Sequence, residues 1–357
     1  MIKLALFVGA LAVTLAAGAG PSSAVPFNIV YVDAYTGFDS ATCGAAPQSP
    51  GTTAPCATLN QALQNISPNG QIVVVHGNSF GPIYLTGPIA IIGPADSSLE
   101  ILNSGAAPGC IGAAPGTCAA STTAGVEIAA GTSDVIKLQY MTISGGTGGT
   151  NALKVDSAVG VALTGVKLRG GSSSSLTAMM QVDSSQGSQL QLYLRDSDVA
   201  FSSFGGGISV APTGATPVRM NINNSEVHNA TFGVQAISTG LTGSANIQVL
   251  VDGTQFFSFN NSAISVASSA SSNGAAVSLT RSAIANTGGA GFKANGAGAG
   301  GILYQSAIVG NGTGVNVVNG AGVFSYQNNE ILFNGNNCEV NSAPTACTTA
   351  LTAQTPF

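Results

Sequence analysis

Short apolar strands entered through a small residue recur along the chain: Ala152-Leu153, Ala178-Met179, Gly207-Ile208, Gly233-Val234, Ala263-Ile264, Gly291-Phe292 and Gly314-Val315. Their apolar members stand 26, 29, 26, 30, 28 and 23 residues apart. A repeat of this length, with strand and turn character and no helical spacing, predicts a stacked solenoid in which each coil buries its apolar face on the next. A second strand lies upstream of each marker, where an apolar residue follows a small polar one at two positions' distance: Ser197 and Val199, Ser225 and Val227, Thr254 and Phe256, Ser282 and Ile284, Ser306 and Ile308, Asn329 and Ile331. A third precedes that, as in Leu190 to Leu194, Val218 to Ile222, Ile247 to Val251, Ala276 to Leu279 and Gly301 to Leu303. Three short strands per coil, alternating inward and outward, predict parallel pairing one coil apart at about 4.8 Å.

Asn recurs at the turn between the second strand and the marker strand, at positions 229, 260, 286, 311 and 334. Asn tolerates left-handed backbone, and stacked amides hydrogen-bond along a ladder, so a structural role is expected. A row of ligand-contacting amides is the functional alternative.

The segment Val30-Tyr31-Val32-Asp33, then Pro55-Cys56-Ala57-Thr58-Leu59 leading into Gln61-Ala62-Leu63, reads as a strand and a short helix closing an open end. Gly70 to Val75, Gly81 to Leu85 and Ile89 to Gly93 follow as first coils. With the repeat, over roughly Val30 to Phe333, this resembles a right-handed parallel β-helix of the pectin lyase-like superfamily, close to secreted bacterial members. The resemblance implies an all-β fold of three-strand coils with an N-terminal cap. The expected division is an export signal at 1–24, a strand and capping segment at 25–70, the β-helix at 71–335 and a disulfide-closed tail at 336–357.

The enzyme signatures of that superfamily are missing. The Asn-Thr-Asp, Asp-Asp, Gly-His and Arg-Ile-Lys steps of polygalacturonases do not occur, nor does the Asp-Pro-His-Asp segment of alginate epimerases. Only Arg219 lies near Pro212 and Pro217, without the surrounding pattern of pectate lyases. Fold alone does not assign an activity.

Candidate chemistry therefore rests on geometry. If Val199 and Val227 point inward, strand alternation turns Lys167 and Arg169, then Asp198, then Glu226 and His228 outward on three successive coils. Stacked carboxylates raise one another's proton affinity, and a flanking His or Arg completes an acid and base pair. Surface ion pairing is the plainer reading. Asp156 and Asp183, each in a Val-Asp-Ser triplet, stand 27 residues apart. Such a pair can hold calcium or act on a glycosidic bond, although neither segment supplies the further oxygen ligands calcium needs, and turn capping is favoured. Phe257, outward between Phe256 and Phe259, is a candidate sugar platform.

Composition narrows the partners. Charged residues make up 6% of the chain and the net charge is −5, which offers no footprint for nucleic acid or anionic lipid. Lys3, the apolar run Leu4 to Ala17 and the small residues at Ala19 and Ala24 read as an export signal, too short for a membrane span. A retained N-terminal anchor is the alternative. Six cysteines suit an oxidising compartment, and local pairing of Cys43 with Cys56, Cys110 with Cys118 and Cys338 with Cys347 would staple three loops outside the regular repeat. A metal site is disfavoured, with no C-x-x-C and only His76 and His228. The expectation is a secreted, periplasmic or cell-surface protein that binds polysaccharide along its side without turnover. The alternatives are a polysaccharide lyase or glycoside hydrolase using Asp198, Glu226 and His228 with Lys167 or Arg169, and a structural or adhesive spacer.

Overall fold

The computed structural model describes residues 27–46, 54–96, 98–111, 124–146, 151–170, 178–200, 202, 205–270, 272–326, 328–341, 343–347 and 351–354. The segment expected as an export signal and Cys118 lie outside the described residues. Three sheets form the sides of a right-handed parallel β-helix. Among the described residues the first and third have 12 strands and the second has 10; most neighbours in each sheet are parallel strands of successive coils, and the third sheet ends in an antiparallel hairpin of Asn336–Val340 with Ala343–Thr345.

Alternation builds each side. In Val218–Asn223 the side chains of Val218, Met220 and Ile222 are buried while Arg219 faces out, and the strand pairs in register with Ile247–Asp252 of the next coil. The inward columns merge into one continuous apolar core running the length of the cylinder. At the glycine markers the small residue has a steric cause: a Cβ on Gly207 would meet the Gly233 carbonyl oxygen at 2.5 Å, and one on Gly314 the Asn337 carbonyl oxygen at 2.4 Å. The coil can close on its neighbour only where the side chain is minimal.

One marker shifts. Leu153 pairs with Met180, and Met180 with Ile208, so the coil expected at Met179 is carried by the next residue. The Ala178-Met179-Met180 run is apolar at all three positions and fully buried, which leaves the sequence pattern one residue short of fixing its register.

Several of the polar residues two positions before a second-sheet apolar residue form a side-chain ladder. The Ser197 amide donates to Ser225 Oγ at 3.2 Å, that of Thr254 to Ser282 Oγ at 3.1 Å, and that of Ser306 to Asn329 Oδ1 at 2.9 Å. Asn at the other turn serves two purposes. Asn229 and Asn286 take left-handed backbone, with φ of 51° and 54°, whereas Asn311 and Asn334 join a ladder in which the Asn311 amide donates to Asn334 Oδ1 at 2.9 Å.

The N-terminal end is closed by the helix Leu59–Asn65, whose Thr58 cap accepts from the Gln61 amide. Cys43 and Cys56 are bridged, as are Cys338 and Cys347, and Cys110 is disulfide-bonded too. Asp33 ends the first strand. Burial pushes its pKa up, but bonds from the Thr36 hydroxyl, the Tyr35 amide, His76 and the Thr36 amide outweigh this and hold it at about 2. A carboxyl whose folded pKa lies below its ordinary 3.8 stabilises the fold above that value and loses the contribution as pH falls towards 2. The wild type is therefore expected to lose about 2 kcal/mol more than Asp33→Asn between roughly pH 5 and pH 2, measured by urea unfolding. Equal losses would remove this role.

Among the described residues no helix is long and apolar enough to cross a membrane.

Candidate functional site

Each of the three outer faces carries a distinct set of side chains. On the second sheet, register aligns Lys167, Asp198 and Glu226 in one column, with Arg169, Ala200, His228 and Phe257 in the parallel one. The predicted residues are thus neighbours, but they are not equally engaged. Arg169 Nη2 lies 2.5 Å from Asp198 Oδ2, and His228 Nε2 lies 3.1 Å from Asp198 Oδ1. Both oxygens of Asp198 are occupied. His228 is nearly buried and stacks on Phe257, ring centroids 4.4 Å apart and planes 12° from parallel. Phe257 therefore has one face covered by protein. Phe256 and Phe259 are core residues, whereas Lys167 and Glu226 are exposed and belong to no ion pair among the described residues.

On the third sheet, Val155 pairs with Val182, which sets Asp156 beside Asp183. Register also aligns Tyr84, Glu127, Lys154 and Gln181, residues the sequence reading did not single out. Lys154 Nζ reaches Asp156 Oδ1 at 2.8 Å and Glu127 Oε1 at 3.7 Å. Gln181 donates to Asp183 Oδ2 at 3.1 Å while accepting from Asn151 at 2.7 Å. Burial raises the Asp183 pKa, opposed by Lys154 and reinforced by a hydrogen bond and the charge of Asp156. Burial pushes Lys154 down, but Asp156, Asp183 and Glu127 outweigh it and raise the ammonium's pKa. Burial and the Glu127 and Asp156 charges raise Tyr84. Asp183 thus holds its proton more readily than an ordinary carboxyl does, next to the Lys154 cation. A calcium ion would compete with the Lys154 ammonium for Asp156. Among the described residues no group of three or more His, Cys, Asp or Glu is placed to share a metal.

The first sheet carries what the sequence reading missed. One outward column runs Tyr193, Asn221, Leu250, Ser278, Ile302, Phe324 in unbroken register. Tyr193, Leu250, Ile302 and Phe324 are 41 to 52% exposed, where alternation calls for polar groups. Beside it runs Gln191, Arg219, Gln248, Ala276, Gly300, Gly322. Tyr193 Oη donates to Gln191 Oε1 at 2.9 Å, and Arg219 is exposed with no ion pair among the described residues. A cleft of about 200 Å³ lies between Tyr193, Arg219 and Leu250. Towards the C-terminal end it is followed by a shallower trough of about 490 Å³ over Ala276, Gly300 and Gly322, bounded by Phe324. From Tyr193 to Phe324 is five coil steps, about 24 Å at the usual strand spacing. The detectable signal was the apolar residue at the outward position of four strands in one sheet.

No family model matches the chain, and no curated protein sequence matches it. Among solved structures it is similar to the crystal structure of pectate lyase Pel9A, with a TM-score of 0.54 and 11% identity over 90% of this chain and 82% of that one. An alginate lyase from Paenibacillus sp. str. FPU-7 aligns with a TM-score of 0.43 and 13% identity over 84% of this chain and 96% of that one. At such identity the first likeness is one of fold, a chain wound into stacked parallel sheets.

Proposed function

We propose, starting from this pectin lyase-like β-helix fold, that the chain binds an acidic polysaccharide lengthwise along its first sheet without cleaving it. The observation that carries this reading is the exposed column of Tyr193, Leu250, Ile302 and Phe324 beside Gln191, Arg219 and Gln248. Aromatic and aliphatic surfaces stack on the apolar faces of sugar rings, side-chain amides meet hydroxyls, and an unpaired guanidinium pairs with a carboxylate. The 24 Å run, about five strand spacings, suits an extended polymer better than a small molecule. A pectate lyase as fold neighbour adds an acidic-polysaccharide context. On the second sheet Asp198 is paired with Arg169 and His228, which suits the ion-pair reading of that cluster. Export through residues 1–24 to a secreted, periplasmic or cell-surface location, with the cap at 25–70, the cylinder at 71–335 and the tail at 336–357, completes the reading. The disulfides favour such a compartment.

A lyase or hydrolase is the second reading. It is favoured by Asp183 and Asp156 beside Lys154, an acid and base pair with a fixed cation. One experiment separates the two. In native gels containing polygalacturonate, the wild type is expected to be retarded, and Tyr193→Ala with Arg219→Ala to weaken binding about tenfold or more, the loss of one stack and one charged bond. No unsaturated uronate or new reducing ends should appear. Turnover abolished by Asp183→Asn would replace binding with catalysis, and turnover abolished by Glu226→Gln would move it to the second sheet.

A further inference from the structure

We propose that a trough at the corner between the first and second sheets is a separate binding site for an oligosaccharide segment bearing a free amino group. Register places Gln255, Ala283, Ala307 and Glu330 on four successive coils. The two alanines remove the side chains between two long polar ones. The outer surface sinks for two coils and rises again at Glu330, over three coil steps or about 14 Å. Arg281 and Gln305 form the side wall, and the hollow holds about 620 Å³.

The floor is fixed from beneath. The Thr254 amide donates to Ser282 Oγ at 3.1 Å and the Ser282 amide to Ser306 Oγ at 3.3 Å, while the two serine hydroxyls donate to the Thr280 and Tyr304 carbonyls. These hydroxyls are committed to the coil, so a ligand meets alanine methyls below it. Asn328 Oδ1 accepts from the Gln305 amide at 3.1 Å and fixes that wall.

Charge chooses the ligand. Arg281 is paired with Asp252, whereas Glu330 is exposed and belongs to no ion pair among the described residues. The trough thus holds one uncompensated negative charge, which repels a uronate and favours an ammonium through a charge-assisted hydrogen bond. The Gln255 and Gln305 amides suit sugar hydroxyls, and the Ala283 and Ala307 methyls suit the apolar face of a ring. None of the residues lining this trough lines the cleft at Tyr193, so the inference stands independently of the first-sheet reading.

The test is calorimetric titration of the full chain with a β-linked glucosamine tetramer and with its N-acetylated counterpart. The amino tetramer is expected to bind, and Glu330→Gln to weaken it about tenfold, as loss of a charge-assisted bond does. Glu330→Gln should leave the weaker binding of the acetylated tetramer unchanged. Ala283→Trp, which fills the trough from an outward position, should abolish binding of the amino tetramer, and Tyr193→Ala should not alter it. Absence of binding, undiminished binding to Ala283→Trp, or a loss caused by Tyr193→Ala would overturn the assignment.

Discussion

Replacing Phe292 with alanine is expected to cost the protein about 3–5 kcal/mol, the range for emptying a fully buried aromatic site. Phe292 is completely buried and stacks in register between Ile264 and Val315 of the adjoining coils. Its ring also crosses the interior to the first sheet, where a Cβ on Gly301 would lie 2.5 Å from Phe292 Cζ. Gly301 interrupts an inward column that carries Val277 before it and Val323 after it. The phenyl ring occupies the space that a side chain at 301 would fill. Shortening Phe292 therefore leaves a hole that no neighbour can close, because the facing residue has no side chain to move. Chemical unfolding of Phe292→Ala measures the loss, and Gly301→Val in the same background should restore part of it. A loss below about 1 kcal/mol would mean that the two sheets do not pack through this pair.

The second large effect is expected at the opposite end. Removing the bridge between Cys43 and Cys56 as a double alanine variant should cost about 3 kcal/mol, since closing a loop of this size restricts the unfolded chain by that amount. The effect should be local as well as global. Asn65, the last residue of the capping helix, donates to the Cys43 carbonyl at 3.0 Å and to the Ser40 carbonyl at 3.0 Å. Asp39, four residues before Cys43, accepts from the Ala57 and Thr58 amides and the Thr58 hydroxyl, just after Cys56. The bridge thus ties the 39–43 segment, which contacts both ends of the helix, to Cys56, two residues before the helix cap. Amide exchange in the variant should rise first at 59–65 and in the strand Phe27–Asp33, while the strands around Val249 and Val277 stay protected. Uniform loss of protection along the chain would show that the end is not a separable cap.

The architecture was legible because its repeating positions obey steric rules that act on residue type. Glycine is required wherever a Cβ would strike the carbonyl of the next coil, as at Gly207 and Gly314, and a short hydroxyl is required where one coil's amide seeks the next coil's Oγ, as at Ser225 and Ser282. The register slip at Met180 arose where three consecutive apolar residues left alternation without a polar marker. Outward chemistry was harder to read. The alignment of Asp198 with Glu226, and of Asp156 with Asp183, followed from spacing, but the ties to Arg169, His228 and Lys154 depend on side-chain reach across coils. Glu127 and Tyr84 precede the seven marker strands, so no marker spacing aligns them with Lys154. Tyr193, Leu250, Ile302 and Phe324 each resemble an ordinary strand residue; only the register of six coils shows that they share one exposed line.

The most direct measurement is side-chain oxidative footprinting with and without polygalacturonate. Protection of Tyr193, Leu250, Ile302 and Phe324 together, with Phe257 and Phe333 unchanged, is the result expected if the polymer runs along the first sheet. Protection at Phe257 or Phe333 with none along that column, or no protection at all while the polymer is bound, would contradict it.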